Sequence, residues 1–301
     1  MRLLICVSIL LTGCTDADKL PQGGSPIEVA GYLQYESLDE ASGLARSYKN
    51  ADQLWVINDD GGPVLYAINM AGAKLGKVKL VKASNRDWED LASFSLEGQA
   101  YLVIADIGDN LRRRNYVTLY VVEEPDINQD RANIAWRIDF SYPEGPTDAE
   151  AIAVDVAGQR ILVLSKRNIP AVLYAVPLMP DTDDTVIATR LGEIDSLPQP
   201  SQRDTRNAAD SGWYWQPTAM DISADGGSAL ILTYRGIYHY SRNNDEPWID
   251  TFRNRPFGLS LGRYRNAEAI AFTLSDNLAF VTIEKKHAPL LRIDLNGAVN
   301  Q

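Results

Sequence analysis

Three glutamates, Glu89, Glu150 and Glu268, occupy the same place in a repeated six-residue signature, and carboxylates gathered by a repeat can bind cations or do acid–base chemistry. The signature recurs five times, as Glu40-Ala-Ser-Gly-Leu-Ala45, Asp87-Trp-Glu-Asp-Leu-Ala92, Asp148-Ala-Glu-Ala-Ile-Ala153, Gln216-Pro-Thr-Ala-Met-Asp221 and Asn266-Ala-Glu-Ala-Ile-Ala271. Ser42 and Thr218 fill the glutamate's place in the other two copies. A second β-forming run follows each copy, and aligned by pattern these runs end at Asp59, Asp106, Lys166, Tyr234 and Glu284. Paired antiparallel strands run in opposite directions, so the starts of the first runs and the ends of the second share one face. If the first runs line a channel, all ten residues meet at its mouth.

Like charges held that closely must be neutralised, and two neutralisers stay open. One is a bound cation, calcium before magnesium, because calcium accepts six to eight oxygens where magnesium prefers a water-rich octahedron. Its candidate ligands are Asp59, Glu89, Asp106, Asp109, Glu268 and Glu284, with the Asp106-Ile-Gly-Asp-Asn110 loop offering closely spaced oxygens but not the spacing of an EF-hand. The other is an ion network made by the protein alone, from Lys166, Arg167, Arg235 and Lys285. Further basic residues, Arg86, Arg112-Arg-Arg114, Arg203, Arg206, Arg263, Arg265 and Lys286, fall on loops of the same face and suit a phosphate or carboxylate ligand. Arg112, Arg167, Tyr234 and the aromatic pair Trp213 and Trp215 are the candidate ligand contacts. The two tryptophans either stack on a sugar or peptide or lock the long loop against a neighbouring blade.

For catalysis the candidates are Glu150 as base or ligand, Lys166 and Arg235 as charge stabilisers, and His287, which follows Glu284 at the mouth. The other histidine, His239, falls in a third strand and reads as structural. No Gly-x-Ser-x-Gly elbow, phosphate-cradling loop, zinc spacing or nucleotide fingerprint occurs.

Repetition at roughly 50 residues, with strand-like pattern between copies, is what radially arranged four-stranded sheets produce. The expectation is an all-β propeller of five blades with four antiparallel strands each. Six is the alternative, because the long stretch 177–216 has room for a poorly patterned blade. Third strands repeat a Leu-Tyr pair at 64–68, 117–122 and 172–176, and continue at 236–240 and 290–294. Outer strands are expected at 77–81, 134–140, 186–194 and 247–252. The fifth copy stops after its third strand, so 27–35 is expected to complete it and close the ring. No helical pattern of useful length appears.

The first residues read differently. Arg2 and the apolar run 3–11 precede Leu11-Thr-Gly-Cys14, which resembles a bacterial lipobox. The resemblance implies cleavage before Cys14 and its acylation, with Thr15 pointing to the outer membrane facing the periplasm; a cleaved signal with an incidental cysteine is the alternative. The apolar run is shorter than the roughly 20 residues a spanning helix needs. The organisation is thus a signal peptide over 1–13, a tether over 14–25 and one propeller over 26–301. Cys6 and Cys14 are the only cysteines, which excludes disulfides and thiolate chemistry from the mature domain. The net charge is −11, and Arg2 is the only basic residue before Cys14, so nucleic acid and anionic headgroups are poor partners. A monomer is expected.

Ala41-Ser-Gly-Leu-Ala45, Leu54-Trp-Val-Ile-Asn-Asp59 and the Glu-Ala-Ile-Ala copies resemble the SdiA-regulated domain and the esterase-like phytase-type propellers, over most of the chain from Glu40 onward. The resemblance implies the propeller and a group that holds both calcium-dependent hydrolases and proteins of no known activity. The glycine usual after the blade glutamate is here Asp90, Ala151 and Ala269. Two functions follow as expectations. The first is an envelope lipoprotein whose mouth binds a small anionic ligand or an envelope protein, with calcium left open. The second is a calcium-dependent phosphoester or ester hydrolase.

Overall fold

A strand buried on both faces reads as a continuous apolar run, and the first and second strands of each repeat read that way. In the computed structural model, which describes residues 26–200, 215–243 and 245–296, these strands pack side by side around an axis as the inner parts of five sheets. The segments expected as signal peptide and tether, with Cys14, and Trp213, Arg203 and Arg206 lie outside the described residues. So do the other residues of 201–214.

Blade 1 runs outward through Ala41–Arg46, Gln53–Asn58, Val64–Asn69 and Lys74–Val81, and blade 2 through Trp88–Leu96, Gln99–Asp106, Val117–Glu123 and Trp136–Ser141. Blade 3 comprises Ala149–Asp155, Arg160–Ser165, Ala171–Pro177 and Thr189–Ile194, and blade 4 comprises Pro217–Ile222, Ser228–Thr233, Gly236–Ser241 and Phe257–Ser260. Blade 5 has Ala267–Phe272, Leu278–Ile283 and Pro289–Asp294, completed by Ile27–Tyr32 pairing antiparallel with Pro289–Asp294. The first and last strands of the fold therefore share a sheet, and the ring closes without an open seam, as expected.

Two blades carry a fifth strand. Arg131–Asn133 joins the edge of blade 1 and Val186–Ile187 the edge of blade 2, both in parallel. The stretch between blades 3 and 4 thus yields an edge strand and an outer strand, and no sixth blade forms among the described residues. The strand expected at 247–252 is instead the short helix Trp248–Thr251. Trp248 and Phe252 are four apart, which puts both on one helical face; both are fully buried and stack at 5.5 Å, with Phe252 edge-on to Tyr240. The outer strand of blade 4 forms just afterwards.

Five apolar clusters fill the five gaps between neighbouring blades. The two-residue period of each strand divides its side chains between two gaps: Leu54 and Val56 pack toward blade 5, Trp55 and Ile57 toward blade 2. At the axis the space narrows. A Cβ on Gly43 would meet the Leu91 amide nitrogen of the next blade at 2.5 Å, so blade 1 needs glycine there.

Polar groups on the axis are satisfied across blades. Asp90 of blade 2 is fully buried, and its Oδ2 accepts from the amides of Ile152 in blade 3 (2.8 Å) and Met220 in blade 4 (3.3 Å), while Oδ1 accepts from Leu91 (2.8 Å). Asp221 of blade 4 accepts from Phe272 in blade 5 (2.9 Å) and from Arg46 in blade 1 (2.6 Å), and Arg46 donates onward to the Ile222 carbonyl. These three side chains link all five blades. Replacing Asp90 by Ala leaves amides of three blades without their acceptor, at about 1–3 kcal/mol for each one left buried. The expected outcome is a loss of about 3 kcal/mol or more in urea unfolding, with Asp90→Asn, which keeps one acceptor oxygen, losing less.

Candidate functional site

Every inner strand breaks register at the same point. The pairing skips between Ala41 and Gly43, Trp88 and Asp90, Ala149 and Ala151, Pro217 and Ala219, and Ala267 and Ala269. The extra residue of each bulge is Ser42, Glu89, Glu150, Thr218 or Glu268, the third residue of the signature. A bulge leaves one residue outside the ladder and re-aims its side chain. Ser42 Oγ donates to the Trp88 carbonyl (2.6 Å) and Thr218 Oγ1 to the Ala267 carbonyl (2.8 Å), each in the following blade. A carboxylate has no proton to give a carbonyl, and the glutamates at this place line the mouth of the channel instead.

There a cavity of about 120 Å³ is lined by six carboxylates, Glu40, Asp59, Glu89, Glu150, Glu268 and Glu284, and by one ammonium, that of Lys166, with Tyr234 beside it. Oxygens of Asp59, Asp87 and Glu89 all lie within 4.8 Å of one another. The chain passes close beneath them at Gly108, where a Cβ would run into the Asp87 and Glu89 carboxylates, so glycine is what lets the three converge. On the other side Lys166 Nζ pairs with Glu150 Oε1 and lies 5.4 Å from the Tyr234 ring centroid. Glu150 is 3% exposed, and its Oε2 has no hydrogen-bond partner among the described residues.

Crowding holds protons on these groups. Burial, with Asp87 adding its charge and a hydrogen bond, pushes the Asp59 carboxyl up to about 7. Burial also raises Glu268 to about 8, with Lys166 opposing and Glu284 and Asp59 reinforcing the shift. Glu89 is raised well above the usual range by burial, with Lys166 again the main counterweight. Glu40 rises through burial and its acidic neighbours Asp60 and Glu284. The Tyr234 phenol is pushed upward by burial and by Glu268 and Glu89.

Of the six candidate metal ligands, Asp59, Glu89, Glu268 and Glu284 line the cavity; Asp106 and Asp109 do not. Asp106 faces Trp88 in the ladder, as Asn58, Ser165, Thr233 and Ile283 face the first residues of the other inner strands. The counterpart of Asp59, Lys166, Tyr234 and Glu284 is therefore Ile107, fully buried in the gap between blades 2 and 3. Asp106 pairs with Arg114 at 2.8 Å. Asp109 caps its own loop by accepting from the Arg113 and Arg114 amides.

Three more of the basic residues are paired, whereas Arg86, Arg112, Arg113, Arg263, Arg265 and Lys285 are exposed. Arg167 pairs with Asp148 at 2.5 Å and with Asn110, Arg114 also donates to the Gly108 carbonyl, and Lys286 faces Asp39 at 3.6 Å. Arg112 lines a separate groove with Thr147, Tyr174 and Arg190. Arg235 is half-buried in the turn after Tyr234, and His287 is exposed in the turn after Ile283; neither lines the cavity. Trp215 is half-buried at the entry to blade 4. Asp87 and Glu40 belong to the mouth and were not singled out from sequence, although the first signature position is acidic in three copies, at Glu40, Asp87 and Asp148.

Such a site can hold a hard cation among carboxylate oxygens, and the orphaned Glu150 Oε2 in its wall fits that use. Protons poised near neutrality on Asp59 and Glu268 also suit acid–base work. A scan against protein-family models finds no match, and a search of curated proteins finds none either.

The raised carboxyls give the metal-free chain a pH signature. Asp59 and Glu268 bind protons more tightly when folded, at about 7 and 8, than at their ordinary values of 3.8 and 4.5. Their contribution is fully present below pH 4 and is lost as pH rises through 7 and 8. In chelator the melting temperature is expected to fall between pH 5 and 8.5, and Glu268→Gln is expected to flatten that slope; differential scanning calorimetry checks both.

Proposed function

We propose that the channel mouth is a divalent-cation site, calcium by its chemistry, in a lipid-anchored envelope propeller, and that the bound ion presents coordination positions to an anionic oxygen ligand. The observation that carries this reading is the convergence of Asp59, Asp87 and Glu89 oxygens within 4.8 Å in a wall that holds one lysine among six carboxylates. Several flexible carboxylates suit calcium's larger and less regular shell better than magnesium's octahedron. A small carboxylate or phosphate, or an acidic side chain of an envelope protein, would meet the ion rather than a guanidinium in the cavity, because among the described residues that line it none is an arginine, and Arg114 and Arg167 are paired with Asp106 and Asp148. The Leu11-Thr-Gly-Cys14 ending supports attachment through Cys14, and the blade motifs support kinship with the SdiA-regulated and esterase-like phytase-type propellers.

Calcium is expected to raise the melting temperature of chelator-treated protein by about 5 °C or more at a hundredfold excess over Kd, with magnesium giving less. Asp59→Asn and Glu89→Gln should abolish the rise. Gly108→Ala, whose new methyl displaces two of the carboxylates, should weaken it while leaving the circular dichroism of the sheets intact. No response to any divalent ion would remove the proposal.

A second reading, a phosphoester or ester hydrolase, is favoured by the protons held near neutrality on Asp59 and Glu268 beside the Lys166–Glu150 pair. A bound cation would supply polarisation of an ester oxygen; the chain itself would place Lys166 against developing negative charge and hold a transferable proton on Asp59. Glu150→Gln separates the readings, since it should abolish turnover of a phosphoester or lactone with the fold retained if the site is catalytic. Absence of turnover by the calcium-loaded wild type across both ester classes would leave the binding reading alone.

A further inference from the structure

The carboxylates of the mouth differ in what is paired with them. Oxygens of Asp59, Asp87 and Glu89 converge within 4.8 Å, whereas Glu150 is paired with Lys166 in the same cavity wall. Lys166 has little freedom there. Its side chain is 10% exposed, its amine is paired with Glu150 Oε1 and lies over Tyr234, and its amide donates to the Asp148 carbonyl at 3.0 Å, fixing where the side chain starts. Its charge also reaches Glu89 and Glu268, so one ammonium serves three glutamates from three blades. These are the three signature positions that carry glutamate, brought together by equivalent bulges.

A lysine ammonium is a compact point charge, and at this position it stands where a cation would, paired with one glutamate and acting through its charge on two more. It does so incompletely, because Glu150 Oε2 remains without a partner in the cavity wall. We propose that Lys166 is a tethered counter-ion occupying what would otherwise be a second divalent-cation position, so that it limits the mouth to one ion and removing its charge admits another at Glu150 and Glu268. This rests on the reading of Asp59, Asp87 and Glu89 as a cation site, but the two can fail separately.

The test is calcium stoichiometry by equilibrium dialysis of the purified full chain, comparing wild type with Lys166→Met. Lys166→Gln, which keeps a polar head beside Tyr234, is the second variant should Met fail to fold, and circular dichroism verifies the sheets of each. The expected result is one calcium per wild-type chain and two per variant chain. Lys166→Arg, which keeps the charge, should stay at one, as should the double variant Glu150→Gln/Lys166→Gln, which removes the charge and a ligand together. One calcium in both wild type and the neutral variants overturns the counter-ion role while leaving the first site standing. No calcium in wild type and one in the neutral variants supports the counter-ion role and overturns the first site. No calcium in any chain overturns both.

Discussion

Closure of the ring is the constraint on which the rest depends. Five sheets that meet around an axis bring their inner strands within contact distance of one another, and whatever those strands carry must be small or must find a partner in another blade. Gly43 meets the first condition against Leu91, while Asp90, Asp221 and Arg46 meet the second. Burial raises both axial carboxyls, and backbone amides and Arg46 offset that cost. A carboxylate buried without such donors would cost several kcal/mol, so the hub is tolerable only because every blade contributes to it or leans on it.

The same closure builds the mouth. All five inner strands bulge at one level, four of the five bulge residues line one cavity, and the protein then treats the five differently. Ser42 and Thr218 spend their hydroxyls on the carbonyl of the next blade and add cohesion. Glu89, Glu150 and Glu268 bring ionisable carboxyls together where water is scarce, which works against stability and is expected where a sequence serves something besides its fold. Lys166 relieves part of the cost by pairing with Glu150, and the raised proton affinity of Asp59, set by burial and by Asp87 beside it, relieves another part as pH falls.

How much of this the sequence disclosed follows from which features are local. The blade number, the ring-closing strand and the five bulge residues were legible because repeats expose equivalent positions, and strand pattern is set by residues near one another. Asp106 was misaligned by one position because Asp106-Ile-Gly has an acidic residue where the ladder pairs, and Ile107, apolar at the equivalent place, offered no chemical cue. The edge strands Arg131–Asn133 and Val186–Ile187 are three and two residues long and pair parallel with distant strands, so nothing near them announces their partners. The arginines looked available for an anion because a sequence shows charges on loops but not that Arg114 folds back on Asp106 or that Arg167 clasps Asp148.

That last difference reshapes the electrostatic argument. An acidic chain with arginines on one face suggests attraction of anions to that face, but each guanidinium committed to a buried or half-buried carboxylate contributes little field beyond its partner. At the mouth itself six carboxyls face one lysine already engaged with Glu150, and burial makes Asp59, Glu89 and Glu268 readier to hold a proton than ordinary carboxyls, so the negative charge there grows as pH rises. On the reading of the mouth as a cation site, a small cation would take the place of those protons, and an anion would approach favourably only once the cation had changed the sign of the entrance. That order, cation before anion, would follow from how the fold pairs its charges rather than from how many of each it carries.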